Sequence, residues 1–169
     1  MIATVAALVI AAVTLTACTA LQHGVTGVML GPSGRLIAVL GWCPGHAPDG
    51  MTLYTEDAQR PSFKVSKFTV DPRPEGTYAE VPLADPPLGW SADPPLLPTL
   101  DPQHQYTLSG WTKNTSSARN VDFTVASLKN IGPGRIVFQR LDVKEKDESG
   151  VFRLGVEDFQ REVRDQDGC

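Results

Sequence analysis

The first 34 residues of this 169-residue chain contain no Asp, Glu, Lys or Arg; the first charge is Arg35. Within that uncharged stretch, Ile2 to Leu15 are all apolar or Thr, a length that fits the core of a signal peptide and is short for a membrane span. No second apolar span follows, and no basic stretch occurs anywhere. With a formal charge of −4 and a pI near 5.3, nucleic acid is excluded as an expected partner, and anionic lipid headgroups would not attract this surface. Gly-rich phosphate loops that open a helix are missing, because the glycine pairs flank prolines instead. Ser33 in Gly-Pro-Ser-Gly lacks the Gly-x-Ser-x-Gly frame of a nucleophile elbow and reads as a turn serine. The three histidines, His23, His46 and His104, fall in predicted loops or the N-terminal tether, with no two at ligand spacing. No metal, cofactor or catalytic residue is therefore expected.

What is present at the N-terminus is a cysteine. Leu15-Thr16-Ala17-Cys18 closes the apolar run, with a small residue before Cys18. This resembles the signal of a bacterial lipoprotein with its lipobox. The resemblance implies that the Cys18 thiol takes a diacylglycerol, that the chain is cut before Cys18, and that the new amine is acylated. Two or three acyl chains at roughly 0.8 kcal/mol per buried CH₂ make a durable anchor. The pattern departs from that family in its n-region, where Met1 stands without Lys or Arg. An uncleaved N-terminal helix, or a secretory signal cut after Ala17 or Ala20, are the alternatives. The expected organisation is a signal peptide over 1–17, a lipidated tether over 18–24 and a single β-sandwich domain over 25–169. The expected location is the extracellular face of the cell membrane, with simple secretion as the alternative.

The chain has three cysteines. A secreted protein sits in an oxidising place, where a remaining pair usually bonds, so Cys43 and Cys169 are expected to form a disulfide. A bridge closing almost the whole domain would contribute about 4 kcal/mol in the chain-entropy model. Two free thiols, one of them catalytic, is the alternative, and no His–Asn context supports it.

The rest reads as strands and turns. Val25 to Leu30 is a strand, Gly31 to Gly34 a turn, and Arg35 to Cys43 a continuous apolar run expected as a central strand buried on both faces. Met51 to Glu56 and Phe63 to Val70 alternate; in the second the parity shifts, which predicts a bulge near Ser66. Thr77 to Leu83 is an expected edge strand, because Pro82 cannot donate to a ladder. Residues 82 to 102 hold seven of the fourteen prolines (82, 86, 87, 94, 95, 98 and 102). Ala84-Asp85-Pro86-Pro87-Leu88 nearly repeats as Ala92-Asp93-Pro94-Pro95-Leu96. This segment is expected to be a stiff, strand-free loop. Lys113 to Asn120 reads as a hairpin loop, Val121 to Val125 as the last main strand, Arg135 to Val143 as a short strand and Lys144 to Gly150 as a charged turn. Val156, Phe159 and Val163 have helical spacing, with Glu157 and Asp158 in the first turn and Arg161 and Arg164 later, as the helix dipole favours.

Leu100-Asp101-Pro102 followed by Tyr106-Thr107-Leu108 resembles the corner before strand F in fibronectin type III and immunoglobulin-like domains. It implies an all-β sandwich of that type, with the Tyr106 hydroxyl bonded back to the corner backbone. The chain as a whole also resembles small lipoproteins of the actinobacterial type. It shares their lipobox, an early strand ending in Trp42-Cys43, the DP-x-x-x-Tyr-x-Leu corner, and a terminal helix with Cys. That resemblance implies no particular activity, and the corner says nothing of function.

The expected function is therefore a non-enzymatic binding module of the cell envelope, taking another protein or a glycan through its loops. Trp90 is the candidate binding residue, since an exposed Trp among prolines could stack on sugar rings or on a peptide; the alternative is a Trp covering the end of the sandwich. Trp42 and Trp111 read as core. A small hydrolase using converging carboxylates drawn from Glu56, Asp57, Glu75, Glu80, Asp85, Asp93 and Asp101 is the alternative function, as is a structural accessory of an envelope complex.

Overall fold

The computed structural model describes residues 22–57, 60–96, 100–113, 117–139 and 151–166. Cys18, Cys169, the tether before Gln22 and the charged segment 144–150 lie outside the described residues. The described chain is mostly β, with eleven strands in one continuous ladder that folds into two layers. The strands are β1 (Gln22–Leu30), β2 (Leu36–Trp42), β3 (Gly50–Asp57), β4 (Arg60–Val70), β5 (Tyr78–Pro82), β6 (Trp90–Asp93), β7 (Tyr106–Trp111), β8 (Ser117–Arg119), β9 (Val121–Phe123), β10 (Ile136–Gln139) and β11 (Val151–Leu154). Two short helices complete it, α1 (Val125–Ile131) and α2 (Val156–Gln166).

One layer runs β11-β10-β1-β2-β5; the other has β7 next to β3, β3 next to β4 and β4 next to β6, with β8 and β9 also on β7. The two meet at β1. Gln22 and Val25 pair in parallel with Ser117 and Arg119 of β8, whereas Gly27 and Val28 pair antiparallel with Phe138 and Val137 of β10. Between the two partners, the Thr26 hydroxyl accepts the Gly110 backbone N–H at 3.0 Å, tying the first layer to β7.

β2 is a central strand, between β1 and β5. Its alternation sends Ala38, Leu40 and Trp42 into a core shared with Met51, Leu53, Phe68 and Leu108 of the second layer. Val39 faces the other way, into a cluster with Val25, Phe138, Phe159 and Val163. Two-sided burial, which the unbroken apolar run predicted, therefore arises because the opposite sheet covers one face and α2 the other. The bulge lies where the parity shift put it: Leu53 pairs with Ser66 but Tyr54 with Lys64, leaving Val65 as the extra residue. β5 sits at the end of its layer and pairs with β2 among the described residues.

Four local expectations are corrected. The proline-rich segment is not strand-free: Trp90 to Asp93 pair with Val70 to Lys67 of β4. Prolines flank those four residues without occupying them, so their N–H groups remain available. Residues 117–119, expected in a loop, form β8. The strand expected to end at Val125 stops at Phe123, and α1 begins instead. Thr124 caps it: its Oγ1 accepts the Ser127 N–H at 3.0 Å, and its own N–H donates to Ser127 Oγ at 3.3 Å, a reciprocal capping box. Gly132, at φ +88°, closes the helix in a conformation that L side chains rarely adopt. Finally, β9 is not the last main strand, since β10 and β11 extend the first layer beyond β1.

Candidate functional site

Asp49 is the buried carboxylate of the described residues, with 5 % of its surface exposed. The Pro44–Asp49 connection between β2 and β3 brings it beside Arg73. That guanidinium donates in a fork, Nε to Oδ1 at 2.6 Å and Nη2 to Oδ2 at 2.9 Å. The Lys113 backbone N–H adds a third bond to Oδ2, at 2.7 Å. Burial alone would raise the Asp49 pKa, but the Arg73 fork and the Lys113 amide outweigh it and hold the carboxyl below its ordinary range. A carboxylate so occupied ties the β2–β3 loop to the ends of β4 and β7. Both of its oxygens are engaged as acceptors, Oδ1 once and Oδ2 twice. Sequence reasoning did not single it out, because Pro48-Asp49-Gly50 looks like any turn and Arg73 lies 24 residues away.

The second cluster joins two histidines expected to lie apart. His23 belongs to β1 rather than to a tether, and pairing of β1 with β2 brings it alongside Cys43, whose N–H donates to the His23 carbonyl at 3.2 Å. The His46 N–H returns to the Cys43 carbonyl at 3.0 Å, so the 43–46 turn lays its imidazole on that of His23, with centroids 4.0 Å apart. Trp42 and Trp111 line the slot beneath, whose volume is about 20 Å³. That is room for a water, not for a ligand. Trp42 is in the core and donates Nε1–H to the Gly76 carbonyl at 2.9 Å; Trp111 is half-buried and donates to Thr52 Oγ1 at 3.1 Å. His104 is exposed and pairs with Asp101 at 2.8 Å. Among the described residues no three His, Cys, Asp or Glu side chains stand close enough to hold a metal, and no helix is long and apolar enough to cross a membrane.

The third feature is a groove of about 480 Å³ at the far end of β1, where the β1–β2 turn, the proline-rich segment and α1 meet. Its floor is aliphatic: Leu36, Leu83, Leu96, Leu100 and Val125. Arg35 and Lys129 line it as well, both exposed, and among the described residues no carboxylate lines it. The proline-rich repeat explains part of this surface. Leu88 of its first copy points fully into solvent, whereas Leu96 of the second packs against the core and lines the groove. β6 takes in the first two residues of the second copy, Ala92 and Asp93, and Ser66 Oγ donates to the Pro94 carbonyl at 2.7 Å, fixing where that copy leaves the strand.

Trp90 opens β6, is half-buried, packs against the core and does not line the groove. Tyr106 is buried to 5 % exposure near Asp101, and burial pushes its hydroxyl pKa up. Of the carboxylates weighed as a pair, Glu75, Glu80, Asp85, Asp93 and Asp101 are exposed; Glu80 accepts the Tyr78 hydroxyl at 2.6 Å. Cys43 is buried at the end of β2. Compared with known proteins, the chain matches no family, no curated relative and no solved structure.

Proposed function

We propose that this chain is a lipid-anchored, non-enzymatic binding module on the outer face of the cell membrane, held by an acylated Cys18 and binding through the groove at the far end of β1. The observation that carries the binding reading is that groove: a concave, largely aliphatic surface with two cations and, among the described residues, no carboxylate, on a protein of formal charge −4. Its position favours the same reading. β1 has nine residues, whose eight steps at roughly 3.4 Å each span about 27 Å. A groove at the Leu30 end therefore stands well away from an anchor attached before Gln22. The hydrolase alternative has less support, because the carboxylate the fold buries, Asp49, is paired with Arg73 and bonded by the Lys113 amide, with no second carboxylate bonded to it among the described residues.

The sandwich is of the immunoglobulin and fibronectin type III kind in this reading. Support comes from β2 lying between β1 and β5, β7 lying between β3 and β9, and the Tyr106 corner. Cys43 bonds Cys169 in the same reading. Phe159 spans Gly27 and Gly41, and Val163 lies over Gly41, so α2 runs toward the Trp42–Cys43 end and stops three residues short of Cys169.

The test is surface crosslinking on cells expressing wild type, Cys18→Ala and Leu100→Asp. Wild type should fractionate with membranes and Cys18→Ala should not. Leu100→Asp should remain at the membrane and lose the wild-type adduct. Membrane retention of Cys18→Ala refutes the anchor; an undiminished adduct with Leu100→Asp refutes the groove.

A further inference from the structure

We infer that the groove takes a single-chain amphiphile with a carboxylate head, its alkyl chain along the leucine floor and its head between Arg35 and Lys129. This rests on the binding reading above and names the ligand class. Three observations lead to it.

The first is size. A specific interface with a folded protein buries about 1,200–2,000 Å². This groove, of about 480 Å³ and enclosed by three short segments, falls instead within the range of small-molecule clefts. An extended alkyl chain suits a floor made of Leu36, Leu83, Leu96 and Leu100, whose side chains are aliphatic.

The second is charge. Arg35 ends the β1–β2 turn and Lys129 sits in the last turn of α1, so two separate elements each bring one cation to the same groove. Both are exposed, so their aliphatic stems can lie along the apolar floor while the heads remain wet. Arg35 offers a planar fork that matches the two oxygens of a carboxylate, and Lys129 supplies a second point charge. Asp85 and Asp101 adjoin lining residues but do not line the groove. Asp101 is already engaged by the Gln103 N–H at 2.9 Å and by His104. A cationic head would therefore meet two like charges, and a neutral one would gain only the floor.

The third is position. The groove opens some 27 Å of β1 away from the anchor end. A bilayer surface holding the Cys18 lipid does not reach it. The occupant is therefore a molecule free in the envelope space rather than the membrane itself.

The experiment uses the full chain carrying Cys18→Ala, purified without detergent, and isothermal titration with dodecanoate below its micelle concentration. Dodecyltrimethylammonium and dodecyl maltoside serve as cationic and neutral comparisons. Dodecanoate should bind with one-to-one stoichiometry and at least tenfold tighter than either comparison. Arg35→Gln/Lys129→Gln, altered only at exposed positions, should retain the wild-type melting temperature and lose that tenfold preference. Leu100→Asp should abolish binding, and Lys64→Gln, on β4, should leave it unchanged. Equal binding of all three amphiphiles, or an unchanged preference in the double variant, overturns the proposal. If dodecanoate does not bind while Leu100→Asp still loses its cellular adduct, the ligand class is wrong and the binding module stands. If neither occurs, both fall.

Discussion

Arg73 is half-exposed and Asp49 is almost wholly buried, so the carboxylate is the member of the pair whose loss matters more. Asp49→Asn removes the charge and one acceptor facing three donors, and should cost about 2 kcal/mol in denaturant unfolding. The pair also predicts a pH signature. Because the folded pKa of Asp49 lies below its unfolded value, the unfolded chain binds the extra proton between the two. The stabilisation is complete above about pH 4, the ordinary range of an Asp carboxyl, and is lost as pH falls through the folded value. Wild type should therefore lose more stability than Asp49→Asn between pH 5 and pH 2; parallel profiles would contradict this. Nothing local in the sequence marked Asp49, since its partners, Arg73 and the Lys113 amide, come from just past the ends of β4 and β7. Cys43 and Tyr106 were legible because a residue type in a recognisable context singled them out.

At the scale of elements, the longer strands were legible: β2 from its unbroken apolar run, β3 and β4 from alternation with a parity shift at the bulge, and β7 from the Tyr106-Thr107-Leu108 pattern. Each buries one face or both, and burial imposes the period. The short pieces were not. β6 and β8 have four and three residues, too few to show a period, and pairing with β4 or β1 decides them. α1 has seven residues, and its one local signal is the Thr124–Ser127 capping box. Thr124→Ala should cost about 1 kcal/mol and, because Lys129 and Val125 belong to α1, should also weaken dodecanoate binding. α2 was legible from Phe159 and Val163, and its docking depends on Gly27 and Gly41. A Cβ at Gly41 would stand 2.6 Å from Val163 Cγ2 and 3.1 Å from Phe159 Cε1. Gly41→Ala should cost about 1–3 kcal/mol by overpacking. Phe159→Ala, which empties a fully buried position, should cost about 3–5 kcal/mol. Urea unfolding of both variants measures these costs, and values below 0.5 kcal/mol would mean that α2 is not a packed layer.

At the scale of the molecule, one end of β1 is the end nearer in sequence to the proposed anchor residue Cys18, and the other leads toward the groove. The Cys43 end gathers the stacked histidines and the C-terminal direction of α2. Reducing the proposed Cys43–Cys169 bond, or replacing Cys169 by Ser, should lower stability by about 4 kcal/mol; an unchanged unfolding midpoint would contradict the bridge. The groove could not be read from the sequence, because its lining comes from positions 33 to 129 and only the fold assembles them. The proline repeat drew attention to Trp90, which packs against the core, whereas Leu96 of the same segment lines the groove; a proline-rich context does not reveal which leucine or tryptophan the sheets will cover. The most direct test of the central claim is a ¹⁵N amide-shift titration of the full chain carrying Cys18→Ala with dodecanoate. Saturable shifts should concentrate at Gly34, Arg35, Leu36, Leu100, Val125 and Lys129 and be absent at His23 and His46. Shifts centred on the histidine end, or none that saturate, would contradict it.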